Sequence, residues 1–200
     1  MTVVVGLTGS IASGKSTVSL MFDDYNIPVI DADKLSREVV EPGEKAYEEI
    51  VYTFGSSVLR EDQTIDRKAL GNIVFQDEEK RKQLNSIVHP AVRERMLTKR
   101  DDYIAKEVRA VVLDIPLLFE SNLMDYVDKV LVVYVDEGTQ LSRLMERDGS
   151  SEEEAMSRIN SQIPVAEKAK KADEVIDNSG SKQSSYDQLD HILRKWGIVA

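Results

Sequence analysis

The chain has 200 residues, of which 42% are hydrophobic, enough for a substantial core. Its formal net charge of −10 argues against broad binding to nucleic acid or to anionic membranes. It has no cysteine, which excludes disulfides and cysteine metal sites, and no apolar run nears the roughly 20 residues of a membrane span. A soluble, cytoplasmic protein is expected, and any anionic ligand must be met by local basic clusters.

The first element carries the strongest signal. Val3-Val4-Val5 opens a β-branched run that reads as a buried strand. It leads into Gly9-x-x-x-x-Gly14-Lys15-Ser16, a complete phosphate-loop pattern, and then into a helical period from Thr17 to Tyr25. Such a loop surrounds phosphate with backbone N–H groups at a helix start. Gly9, Ala12, Ser13, Gly14, Lys15, Ser16 and Thr17 are therefore the nucleotide-binding candidates. Lys15 is expected at the β- and γ-phosphates, and the Ser16 hydroxyl on Mg²⁺.

Ile27-Pro28-Val29-Ile30 reads as a second strand and ends in Asp31-Ala32-Asp33. Asp33 is a candidate general base, since a hydroxyl acceptor must lose a proton as it attacks phosphorus. Asp31 either orients a metal-bound water or caps the next helix. Pro42-Gly43 stops that helix, and Tyr47 to Phe54 forms another, closed by Gly55. Asp66 can cap a helix over 67–75.

From Asp77 to about Arg109 the pattern is helical, with an interruption expected at His89-Pro90 and Pro90 opening a new helix. Leu84, Ile87, Val88, Val92, Met96 and Leu97 form its apolar stripe. Residues 80–109 carry nine Lys/Arg against four Asp/Glu, a local reversal of the chain's charge. Within it, His89 and Arg93 lie four apart and suit a phosphorylated substrate.

Ala110 to Asp114 and Val130 to Val135 are near-continuous apolar strands of the kind covered on both faces. Asp114 closes its strand as a second carboxylate able to hold Mg²⁺ through water, or else serves a turn. A helix from Gly138 to Arg147 stops at Gly149, and Ser151-Glu152-Glu153-Glu154 is a capping box for the next. Arg143 and Arg147 share a face, with Arg158 and Lys168 following, in the layout of a lid that brings cations over phosphates. Glu174 to Asp177 is a last strand ending at Asn178, and Tyr186 to Trp196 a terminal amphipathic helix.

Strands alternating with helices predict a doubly wound α/β fold, of the three-layer α/β/α P-loop NTPase type with a five-stranded parallel sheet. The expected core is 1–33 with 110–136 and 172–200. Residues 34–109 form a helical lobe and 137–171 a small helical lid. Ligands in such sheets bind beyond the carboxyl ends of the strands, where the polar groups above converge.

These landmarks resemble the dephospho-CoA kinase family, from Leu7 to Gly180. The match runs through Gly6-Leu7-Thr8-Gly9, Val29-Ile30-Asp31-Ala32-Asp33, Ile87-Val88-His89-Pro90 and Leu113-Asp114-Ile115-Pro116-Leu117-Leu118-Phe119-Glu120. It continues through Gln140-x-x-Arg143-x-x-x-Arg147-Asp148 and Arg158-Ile159-x-x-Gln162-x-Pro164. The resemblance implies Mg²⁺- and ATP-dependent phosphorylation of the ribose 3′-hydroxyl of dephospho-CoA. It implies Asp33 as base, Arg143 and Arg147 near the phosphates, Asn178 bordering the adenine, and His89 with Arg93 in the CoA-binding lobe. Ser10 and Ala12 stand where the family commonly has glycine. A nucleoside or nucleoside monophosphate kinase would share the donor chemistry. A GTP-dependent switch is disfavoured because no Asn-Lys-x-Asp segment is present. Monomer and small homo-oligomer are both compatible with the sequence.

Overall fold

The computed structural model describes residues 1–200. Its contacts divide the chain into two units, Met1–Ile30 with Arg100–Ala200, and Asp31–Lys99.

The elements of the sheet are β1 (Val3–Gly9), β2 (Val29–Asp31), β3 (Ala110–Asp114), β4 (Lys129–Tyr134) and β5 (Glu174–Asp177). Their spatial order is β2-β3-β1-β4-β5. β1 is central, with Val3 opposite Ala110 of β3 and Gly9 opposite Val133 of β4, both in parallel register. β4 pairs in parallel with β5 from Leu131–Glu174 to Tyr134–Asp177. This is the expected five-stranded parallel α/β fold, and its order reverses at β1, the place where such sheets put ligands.

The apolar runs become the buried strands. Val5, Leu7, Val111, Val112, Leu113 and Leu131 to Val133 have no exposed surface. On one face Val5, Leu7, Val112, Leu131 and Val133 cluster with Val18 of α1 (Lys15–Met21), Phe22 just after it, and Leu189, Ile192 and Leu193 of α9 (Lys182–Lys195). On the sheet itself Gly6 is hemmed in, since a Cβ there would lie 3.1 Å from Leu118 and 3.2 Å from Val127. The helical period after the loop extends to Tyr25, but Phe22–Tyr25 tightens to a 3₁₀ turn.

Beyond β3 and β4 lie α6 (Glu137–Asp148), α7 (Glu152–Asn160) and α8 (Val165–Lys170). Their boundaries follow local chemistry. Asp136 caps α6, Gly149 ends it at φ 62°, and Ser151 with Glu154 forms the capping box of α7.

The second unit contains α2 (Ala32–Glu38), α3 (Lys45–Phe54), α4 (Arg67–Gln76) and most of α5 (Glu78–Ala105). Asp66 caps α4 through the Lys68 and Ala69 N–H groups. A small core of Ile50, Val58, Ile65 and Leu70 is covered by Leu84, Ile87 and Val88. Only Met96 of the expected stripe is fully buried.

One expectation fails here. α5 is a single helix that runs through Pro90 rather than restarting at it. Proline removes one hydrogen bond, to the Ser86 carbonyl, and crowds that turn, at a cost of about 3 kcal/mol. Ser86 and Pro90 both lie on the exposed side, where water can serve the lost carbonyl. Leu84, Ile87 and Val88 on the inner side keep the axis continuous by packing.

Tyr25 links α1's end to α9. Its ring stacks on Tyr186 at 5.7 Å, and its hydroxyl donates to Asp190 at 3.0 Å. Burial, together with hydrogen bonding to Tyr186 and Asp190, pushes the phenol's pKa well above its usual value of 10.0. A group whose pKa is raised by folding stabilises the fold fully below its unfolded pKa and loses that contribution as pH climbs past it. Tyr25→Phe should therefore cost about 1 kcal/mol at pH 8. Urea unfolding at rising pH should show the wild type losing this advantage above pH 10, so that the two proteins converge.

Candidate active site

β1 ends at Gly9, opposite Val133, and the chain turns there. A Cβ on Gly9 would lie 2.5 Å from Ser13 Oγ and 3.0 Å from the Val133 carbonyl, so only glycine fits. The Ser13 N–H donates to the Ser10 carbonyl at 3.0 Å and closes a tight turn. Gly14 follows at φ 80°, and α1 begins at Lys15. A Cβ on Gly14 would meet Asn178 Nδ2 at 2.2 Å. The loop thus has its shape because two glycines permit close approach from strand β4 and from Asn178.

Lys15 extends to Asp114, at the end of β3, and forms an ion pair with it. The two side chains are 18% and 4% exposed. This pair is the direct product of the parallel register, which sets Asp114 opposite Leu7 two residues before the loop. Ser16 is exposed on the first turn of α1. The Ser10 and Ser13 hydroxyls are buried and have no hydrogen-bond partner in the protein. Unpartnered hydroxyls beneath a turn rich in N–H donors fit a polar, anionic ligand.

The loop is held from outside by four side chains. Asn178 donates to the Ser13 carbonyl at 2.9 Å and accepts from Ser185 Oγ at 2.7 Å, so both ends of its amide are engaged. Gln140 of α6 donates to the Ile11 carbonyl at 2.8 Å. Gln162 accepts from the Ile11 N–H at 3.0 Å. Lys168 of α8 donates to the Gly9 carbonyl at 2.9 Å and pairs with Glu120 at 2.8 Å.

Lys168, expected among the lid cations, has no exposed surface and acts on the protein backbone instead. Gln140, Gln162 and Lys168 were not distinguished as loop contacts by the local sequence pattern. A signal existed for two of them. Gln140 sits four before the buried Leu144, and Lys168 three after the buried Val165, so each polar side chain occupies the apolar face of its helix.

The two paired arginines of α6 diverge. Arg143 donates to the Asn178 carbonyl at 3.0 Å, and its Nη1 lies 3.8 Å from the Cβ position of Gly14, which brings it to the loop. Arg147 instead binds Asp148 in a two-pronged pair, at 2.7 and 3.1 Å, and Arg158 joins the same carboxylate. Hydrogen bonds from Arg147 and then Arg158 hold the Asp148 carboxyl down at about 2, so it stays ionised at neutral pH.

In the second unit, Asp31 Oδ1 caps α2 by accepting from the Asp33 and Lys34 N–H groups at 2.8 and 3.1 Å. Asp33 stands exposed on the first turn of α2. His89 and Arg93 are exposed on α5. Several other cations of the basic stretch are paired, with Arg95 on Glu44 at 2.7 Å and Lys99 on Glu38 at 3.2 Å.

A central parallel strand, a glycine-pinned loop at the switch in strand order and a lysine on the neighbouring strand's carboxylate define a P-loop protein of the small-kinase type. The family model described as dephospho-CoA kinase matches residues 3–184. A dephospho-CoA kinase of Oceanobacillus iheyensis is 63% identical over 198 residues, covering 99% of this chain and 100% of its own. The solved dephospho-CoA kinase of Campylobacter jejuni aligns with a TM-score of 0.76 at 34% identity, over 98% of both chains. A solved protein of Thermus thermophilus aligns at 0.80, also 34% identical, over 97% of both. The chain belongs to the dephospho-CoA kinase family.

The glycine constraint is testable. Gly149 also has positive φ but nothing within 4 Å of its Cβ position. Gly149→Ala should cost only the backbone term of about 1–2 kcal/mol, a fall in Tm of roughly 2–8 °C. Gly14→Ala must also displace Asn178, so its Tm should fall further. Thermal unfolding of the two variants side by side gives the comparison.

Proposed function

We propose that the chain transfers the γ-phosphoryl group of ATP to the ribose 3′-hydroxyl of dephospho-CoA, giving coenzyme A and ADP, the last step of coenzyme A biosynthesis. The observation that carries this is the end-to-end match to dephospho-CoA kinases together with an intact phosphate loop. No helix is long and apolar enough to cross a membrane, which accords with a cytoplasmic enzyme acting on a diffusible substrate.

Each residue has a role that follows from its chemistry. The loop from Gly9 to Thr17 binds the ATP phosphates, with Lys15 offsetting charge on the transferred group. Ser16 and Asp114 offer hard oxygen donors, the type Mg²⁺ prefers, and the ion when bound neutralises charge on the phosphate oxygens. Asp31 remains a metal-side candidate through the carboxylate oxygen it does not use as a cap. Asp33 accepts the proton of the 3′-hydroxyl, a role supported by its exposed carboxylate in the first turn after β2.

Arg143, already at the loop, stabilises the charge that spreads over the phosphoryl oxygens, and Arg147 joins it by leaving Asp148. Asn178 lies on the adenine side of the loop it braces. His89 and Arg93 bind the acceptor's phosphates within a CoA-binding lobe at 34–109. The core comprises 1–33, 110–136 and 172–200, and 137–171 is the lid.

Offering the purified chain Mg-ATP with dephospho-CoA, AMP, nucleosides or shikimate tests the reading. ADP should form with dephospho-CoA only. Turnover on AMP with none on dephospho-CoA would overturn the assignment. Asp33→Asn should lower kcat by about 10²–10⁴-fold with ATP affinity unchanged, and near-normal turnover would remove Asp33 from the base role. Lys15→Ala should weaken both phosphate binding and turnover.

A further inference from the structure

The turn from Ser10 to Ser13 contains a conformational oddity. Ala12, its third residue, has φ 59°, while Ile11 before it does not have positive φ. With the Ser13 N–H bonded to the Ser10 carbonyl at 3.0 Å, this is the type II pattern, whose third position ordinarily takes glycine. A Cβ at positive φ crowds the following carbonyl and disfavours the conformation. Something outside the turn must hold it.

Ile11 is gripped on both of its peptide planes. Its N–H donates to Gln162 Oε1 at 3.0 Å, and its carbonyl accepts from Gln140 Nε2 at 2.8 Å. The Ile11 carbonyl lies in the peptide that joins Ile11 to Ala12. Fixing that plane fixes ψ of Ile11 and φ of Ala12 together. Gln140 is 2% exposed and belongs to α6. Gln162 follows α7 and precedes α8. Both grips therefore come from one helical segment, 137–171.

We infer that Gln140 and Gln162 are positioning residues of the donor site, which lock the Ile11 peptides so that Ala12 stays at positive φ and the loop keeps its phosphate-binding shape. The inference rests on the reading of this loop as an ATP site. Neither side chain needs to touch the nucleotide, since both act through the loop backbone. A glycine at residue 12 would adopt the same φ unaided and would need the grip less. By linkage, nucleotide bound to the loop strengthens the hold on 137–171 by as much as the grip strengthens nucleotide binding.

The test uses Gln162→Met and Gln140→Met, which fill similar space without the hydrogen bond, each alone and combined with Ala12→Gly. ATP affinity is measured by equilibrium dialysis, amide exchange is followed at residues 10–13, and KM is determined for each substrate. Loss of one buried hydrogen bond should weaken ATP binding about tenfold and raise KM for ATP alike. KM for dephospho-CoA should stay within about twofold, and the Ile11 amide should exchange faster. Adding Ala12→Gly should recover at least about threefold in ATP affinity.

A folded Gln162→Met chain with wild-type ATP affinity and Ile11 exchange would overturn the inference. So would a loss shared equally by both substrates and not relieved by Ala12→Gly. Gln162 is partly exposed, so its variant decides the matter if Gln140→Met does not fold. A wild-type chain that fails to bind ATP would remove the underlying reading, and the inference with it.

Discussion

A lysine ammonium without any solvent exposure is the constraint around which the donor site is arranged. Lys168 cannot be buried as a bare charge, because removing an ion from water costs several kcal/mol. It is compensated by Glu120 at 2.8 Å and by the Gly9 carbonyl at 2.9 Å. Glu120 in turn accepts from the Ile163 N–H at 3.2 Å. One charge therefore draws together the end of β1, the segment after β3, and α8 with the residues just before it. Removing either partner would leave the other charge uncompensated, an effect of about 3–5 kcal/mol in comparable buried pairs.

The phosphate loop grows from that junction. Gly9 is the last residue of β1, and the loop's path is then set by contacts from α6, from the turn after α7 and from Asn178 after β5. Its conformation is thus a tertiary property, although its sequence pattern is local. This explains how a loop with serine and alanine at positions 10 and 12 keeps its shape. The rigidity that glycine-rich loops draw from turn geometry comes here in part from side chains of the surrounding helices. The Lys15–Asp114 pair adds a second charge couple at the same edge, set by the register of β1 on β3.

Much of this was legible in the chain. The three long strands were visible as near-continuous apolar runs because both faces of the sheet are covered. Asp66 and Ser151 marked helix starts because capping is local chemistry that acts over two or three residues, whereas the Asp136 cap, one residue before α6, showed only in the structure. The loop was legible because its glycines answer to contacts of fixed geometry. What escaped local reading depends on distant partners. Gln140, Gln162 and Lys168 reach atoms 129, 151 and 159 positions away, and no periodicity encodes that. Pro90 misled for a related reason, since the rule that proline starts a helix lost to packing by Leu84, Ile87 and Val88.

The fate of the γ-phosphoryl group tests the central claim most directly. ATP carrying ¹⁸O on its γ-phosphate can be given to the purified chain with dephospho-CoA, and the products separated and sequenced by tandem mass spectrometry. The account predicts that the label appears in the non-bridging oxygens of the phosphate ester at the ribose 3′-position of the product, mole for mole with ADP, with the bridging 3′-oxygen unlabelled. Label released only as inorganic phosphate, with dephospho-CoA unchanged, would contradict it and would point to a nucleotide-hydrolysing switch.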